Sequence, residues 1–96
     1  MAVDEKPVET VPLASLSIDL VVTVFSNINF KSCAEAFAKK EVKGEDLVNI
    51  STFEGLREFE IGVATAQLWN LYFKIQVFKS KGVPTSLLVR HYILIQ

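Results

Sequence analysis

Residues Glu41 to Lys81 read EVKGEDLVNISTFEGLREFEIGVATAQLWNLYFKIQVFKSK. The second half of this stretch decides the fold. Leu68, Leu71, Tyr72, Ile75 and Phe78 recur at i, i+3, i+4, i+7 and i+10. Such spacing places them on one face of an α-helix, and a single apolar face is what a helix needs in order to pack on a core. Gly82 and Pro84 end the run, because glycine accepts a positive φ and proline cannot continue a helix. The spacing predicts a long helix over 63–81, with Gly62 as its N-cap. Ahead of it, Ser51-Thr52-Phe53-Glu54 has the form of a capping box, in which the serine oxygen takes a free N–H and the glutamate reaches back. Leu56, Phe59 and Ile61 give the short helix that follows an apolar side. Val42-Lys43-Gly44 reads as a turn, and Glu45 to Asn49 suffices for about one helical turn.

Upstream, Met1 to Ala14 carries Asp4, Glu5, Lys6, Pro7, Glu9 and Pro12 with little apolar content. It reads as a flexible lead. Ser15 or Ser17 caps a first helix whose Ile18, Val21, Val22, Phe25 and Ile28 share a face, with Asp19 in the favourable first turn. The β-branched content of 18–24 also fits a strand. Ser32-Cys33-Ala34-Glu35 is a second capping box. Ala34, Phe37 and Ala38 form that helix's inner face, and Lys39 and Lys40 suit its C-terminus. Five helices with short links give an all-α fold class, a small bundle with a long C-terminal helix. The buried set predicted for it is Phe25, Phe37, Leu47, Leu56, Leu68, Leu71 and Ile75. Residues 83–96, with Leu87, Leu88, Val89, Tyr92, Ile93, Leu94 and Ile95, are too apolar for a free tail. Their period suits a sixth helix or an extended segment.

Ninety-six residues make one domain at most, and half of them are hydrophobic, enough for a core without staples. A net charge of −1 argues against a general nucleic-acid or membrane-surface binder. The single cysteine, Cys33, excludes an internal disulfide and a cysteine-based zinc site. It suits a reducing compartment, and an intracellular, cytoplasmic location is the expectation. No apolar run approaches the roughly 18 residues of a membrane span, and no signal-peptide pattern opens the chain. The sequence contains no phosphate-binding loop, dinucleotide fingerprint or nucleophile elbow. His91 has no partner for catalysis or metal ligation. No catalytic residue, cofactor or metal is expected.

Two surfaces are candidate interaction sites. The first is acidic: Glu41, Glu45, Asp46, Glu54, Glu58 and Glu60 face only Lys43 and Arg57 over residues 41–60, leaving −4. Such a face would steer a basic partner; the plainer alternative is a solvated surface in which Glu54 serves as a cap. The spacing does not suit a calcium loop. The second is the last helix, with Val63, Thr65, Gln67, Trp69, Phe73 and Val77. Trp69, Phe73 and Val77 recur at i, i+4 and i+8 beside the core face, while Gln67, Asn70, Lys74 and Lys81 form a polar stripe. A helix apolar over more than half its circumference needs a second cover. Either the tail supplies it, or another molecule does with Trp69 as an anchor. Cys33 near a helix start would have a lowered pKa if reactive; packing is the simpler role.

Taken together, residues 16–81 resemble the sterile alpha motif (SAM) family. Leu16-Ser17-Ile18-Asp19 is similar to the family's opening. Asn27-Ile28-Asn29-Phe30 followed by Ala34-Glu35-Ala36-Phe37 is similar to its first helix junction. Glu41 to Leu47 is similar to its acidic-apolar-x-Gly-x-x-Leu turn. Leu56 to Ile61 is similar to its Leu-x-x-Leu-Gly-Ile segment, with Glu60 where a glycine is usual. Thr65-Ala66-Gln67 stands where the family often has a glycine and a basic pair. The resemblance implies a SAM-like domain over 15–82, between the lead and the tail. It implies a non-enzymatic protein–protein interaction module for homo- or hetero-oligomerisation or scaffolding in a larger signalling protein. The implied partner is another SAM-like domain, with a homodimer among the options, docking the mid-loop face on the end-helix face at the start of the last helix. The alternative that the family offers is RNA-hairpin binding. That needs clustered cations, and residues 62–73 hold none.

Overall fold

A computed structural model describes residues 9–89. The chain is an all-α bundle of five helices: α1 (Ile18–Asn27), α2 (Lys31–Lys39), α3 (Gly44–Val48), α4 (Phe53–Arg57) and α5 (Thr65–Lys81). Two short segments flank it. Strand β1 (Thr10–Val11) pairs antiparallel with β2 (Val83–Pro84), Val11 opposite Val83. Single 3₁₀ turns, Leu13–Ser15 and Thr85–Leu88, follow each strand.

The helix ends explain the path. Ser17 caps α1 by accepting from the Leu20 N–H at 3.2 Å. At its far end Asn29 takes a left-handed φ of 71°, and the Phe30 N–H donates back to the Phe25 carbonyl at 2.9 Å. The same closure recurs on α2. Glu41 has φ 56°, and the Val42 N–H donates to the Phe37 carbonyl at 2.9 Å. Both are left-handed caps in which the residue after next covers the last turn. Phe30 and Val42 bring an apolar side chain with them, so each cap also seals the core. Gly82, with φ 87°, ends α5 beside β1, where a Cβ would lie 2.8 Å from the Thr10 hydroxyl.

The core holds Phe25, Phe37, Leu47, Leu56, Leu71 and Ile75, all fully buried, together with Val21, Val24, Cys33, Phe78 and Val83. Six of the seven side chains predicted to be buried together are thus sealed; Leu68 is only partly buried at the edge. Around the core, α5 holds the α3–α4 link through three polar side chains. Gln76 Nε2 and Lys79 Nζ both donate to the Ile50 carbonyl, at 3.1 and 2.9 Å, and the Tyr72 hydroxyl donates to the Ser51 carbonyl at 3.2 Å. A buried carbonyl without donors would cost free energy, so these three residues fix the link's position along α5.

Several expectations are corrected. Packed structure extends N-terminal of Ser15: Leu13 is buried and β1 is paired, because the apolar pair Val11 and Leu13 outweighs the polar composition around it. The Ser32 box does not form; α2 starts at Lys31 with Phe30 as its unassisted N-cap, since the left-handed Asn29 cap starts the helix earlier. The Ser51 box gives way to Thr52, which accepts from the Gly55 N–H at 3.0 Å. Gly62 does not cap α5; with φ 84° it is a turn residue, and the helix begins at Thr65 after Ala64. Val63 therefore precedes the helix. Ala38 lies on the exposed side of α2. The described tail runs onto α1, where Asn27 Nδ2 donates to the Leu87 and Val89 carbonyls at 2.8 and 2.9 Å.

The packing makes a direct prediction. Leu71→Ala removes a fully buried side chain between α5 and the core, and should lower unfolding free energy by about 2–5 kcal/mol in a urea titration. A change near zero would show that α5 faces elsewhere.

Candidate interaction surface

All six acidic candidates are exposed, but the fold divides them. Asp46 is occupied with its own helix, its carboxylate accepting from the Lys43 N–H at 2.9 Å at the start of α3. Glu54 pairs with Arg57 at 3.2 Å one turn away, with both side chains mostly in solvent, an arrangement that contributes little. Glu41 forms the left-handed cap of α2, and Glu60 is also left-handed, with φ 54°. An open groove of about 430 Å³ brings Asp46 and Glu58 together with Lys40. Glu60 lines a different hollow with Glu35, Lys39 and Lys40. The end of α2 thus places two lysines among the acids. A count over 41–60 stops one residue short of that pair, so the −4 of the sequence window is diluted in space.

The last helix presents a more coherent surface. Trp69, Phe73 and Val77 keep 40%, 57% and 45% of their surface exposed, while Leu71, Ile75 and Phe78 on the opposite side are sealed. The structure adds a residue that helical spacing alone does not reveal. Phe53, from the start of α4, stacks on the Trp69 ring with centroids 3.8 Å apart and planes 2° from parallel. Tyr72 meets both rings edge-on, at 6.1 and 5.8 Å, and Phe73 leans on Trp69 at 5.7 Å. Four aromatic rings from two helices form one contiguous cluster. Its signal in the sequence was the pair of aromatics at Phe53 and Trp69, 16 positions apart, which only the α4–α5 turn brings together. Of the other last-helix candidates, Thr65 is exposed at the first position, Gln67 and Val63 are half-buried, and none of the three belongs to the ring cluster.

The described part of the tail does not cover this face. Leu87 and Leu88 pack against the core beside α1, and Val89 is exposed. Tyr92 and Ile93, also expected over the stripe, lie outside the described residues, as does His91. Among the described residues no group of three His, Cys, Asp or Glu side chains is placed to hold a metal ion, and no helix is long and apolar enough to cross a membrane.

Cys33 is fully buried. Burial disfavours its thiolate and pushes the thiol up from 9.0 to about 11, the opposite of an activated cysteine. The proton is held more tightly in the folded state, so this group's stabilising contribution is complete below pH 9 and is lost as pH rises toward 11. A disulfide reagent at pH 8 should therefore label the native thiol far more slowly than the thiol in denaturant. Equal rates would place Cys33 at the surface.

No family model, curated protein or solved structure matches this chain, so its function is read from its own residues.

Proposed function

We propose that this chain is a non-enzymatic protein–protein interaction module of SAM-like architecture, docking through the aromatic face of α5. The observation that carries the reading is the cluster of Trp69, Phe73 and Val77, backed by Phe53 and left open to solvent. Contiguous exposed apolar surface on a folded domain marks a contact site, and tryptophan and tyrosine are the side chains that most often dominate binding energy. The rings are held rigidly by one another and by the Tyr72 hydroxyl on Ser51, so little side-chain entropy is lost on docking. The SAM-like part of the reading is supported by the order and lengths of the five helices. It is also supported by Glu60, whose left-handed backbone suits a position where that family usually has glycine. The partner class is protein, a second SAM-like domain or another copy of this chain, and the role is oligomerisation or scaffolding. The acidic groove at Asp46 and Glu58 is secondary, since Lys40 sits within it.

The test places a benzoylphenylalanine photo-cross-linker at position 73, with position 70 on the polar stripe as control, in cells that express the chain. Protein adducts at 73 and not at 70 are expected, and Phe73→Glu should abolish association at unchanged helical content. Light scattering over a concentration series then tells whether the adduct is a second copy. Absence of protein adducts at 73 above the control would overturn the reading.

A further inference from the structure

The exposed face of α5 does not end at Val77. It runs into an open groove of about 440 Å³ at the helix's C-terminal half, bordered by the two short strands and the 3₁₀ turn after them. The floor is aliphatic and aromatic: Ile28 just past α1, Val77 and Phe78 from α5, and Leu87 from the tail. The rim carries Lys74 and Lys81, and among the described residues no carboxylate lines the groove. The two lysines are seven residues apart, so they stand about 10 Å from each other along the helix axis. Lys74 Nζ lies over the Phe78 ring at 5.9 Å. Among the described residues neither lysine is in an ion pair. Lys79, the third cation of α5, is turned away onto the Ile50 carbonyl. From Ile61 to Val89 the sequence contains three lysines and not one acid. The charged side chains among the groove's described lining are both cationic, on a molecule whose net charge is −1.

We propose that this groove binds a short acidic-apolar segment of a protein partner, its apolar side chains on Val77, Ile28 and Leu87 and its carboxylates on Lys74 and Lys81. The proposal rests on the docking reading of α5 and adds the chemistry of the partner. Charge complementarity selects the occupant. Two cations set at the rim of an apolar floor match a segment with acids flanking its apolar residues, and opposite charge at a rim raises specificity and association rate. The volume lies in the range of small recognition pockets, about 300–1,000 Å³, which suits a short segment. Nucleic acid fits less well. Two rim lysines neutralise few phosphates, and the aliphatic part of the floor offers bases no stacking platform.

The experiment pans the full chain against a displayed library of random 12-residue peptides, with Val77→Asp for counter-selection. Peptides retained by the wild type should carry acids beside apolar residues at more than twice their frequency in the input. The double variant Lys74→Glu, Lys81→Glu should reverse that preference toward basic peptides at unchanged circular dichroism. Binding of a selected peptide should weaken at least tenfold between 50 and 300 mM salt, followed by Trp69 emission and methyl shifts of Val77 and Leu87. Enrichment of apolar peptides with no acid bias would overturn the proposal and leave the docking face standing. Enrichment lost on Val77→Asp but indifferent to the lysine reversal would do the same. Retention of no peptide, or of dodecanoate or a single-stranded oligouridylate alone, would also overturn it. Failure of the cross-link at position 73 is a separate result, and removes the docking reading itself.

Discussion

Phe25 is the contact on which the bundle depends. Its ring meets Phe37 of α2 at 5.4 Å, Phe78 of α5 at 5.8 Å and Phe30 of the α1–α2 junction at 6.3 Å, all edge to face. Each such pair adds about 0.5–1.5 kcal/mol beyond the area it buries. More important is where the rings sit. Phe25 and Phe37 occupy the same place in their helices, three from the end, and their carbonyls accept the N–H groups that close the two left-handed caps. The residues that end α1 and α2 are therefore the ones that fill the core. Chain reversal and core packing are one event here, which is how five short helices hold together in so small a domain.

Much of this was legible in residue spacing. The periodicity of Leu71, Ile75 and Phe78 identified the buried side of α5, and the face shared by Val21 and Phe25 and the pair Ala34 and Phe37 marked two further helices. Ser17 was one of two candidate caps of α1 and serves as its cap, but the starts of α2, α4 and α5 were misplaced. Ser32 and Ser51 carry the right side chains for a cap, but the preceding backbone had already entered the helix at Phe30, or deferred it to Thr52. Local chemistry proposes a cap, and the turn before it decides whether the cap is used. The described end of the N-terminal segment, residues 9–14, was misjudged for a related reason. Composition averaged over 1–14 hides Val11, which pairs with Val83 from the far end of the described chain, and Leu13, which is buried with its backbone against Gly44 of α3. The acidic surface shows the limit of counting along a sequence, since Lys39 and Lys40 enter that neighbourhood only through the fold.

The two sides of α5 give the domain its polarity. One side is consumed by the core. The other carries a stacked aromatic group toward its N-terminal half and a lysine-rimmed groove toward its C-terminal half, with Val77 shared between them. Tyr72, Gln76 and Lys79 occupy the boundary and hold the α3–α4 link in place. Their hydrogen bonds favour the observed rotation of the helix about its axis. Trp69 and Phe73 stay exposed on a helix whose other side is held by core and link contacts, and a surface fixed in that way would lose little side-chain entropy in the docking proposed for it.

Hydroxyl-radical footprinting of the full chain at a concentration where it is monomeric tests this two-sided helix most directly, because it reads both faces in one peptide. The account predicts that Trp69 and Phe73 oxidise about tenfold faster than Phe78 and Phe25. Protection of Phe73 equal to that of Phe78 in the monomer would contradict it.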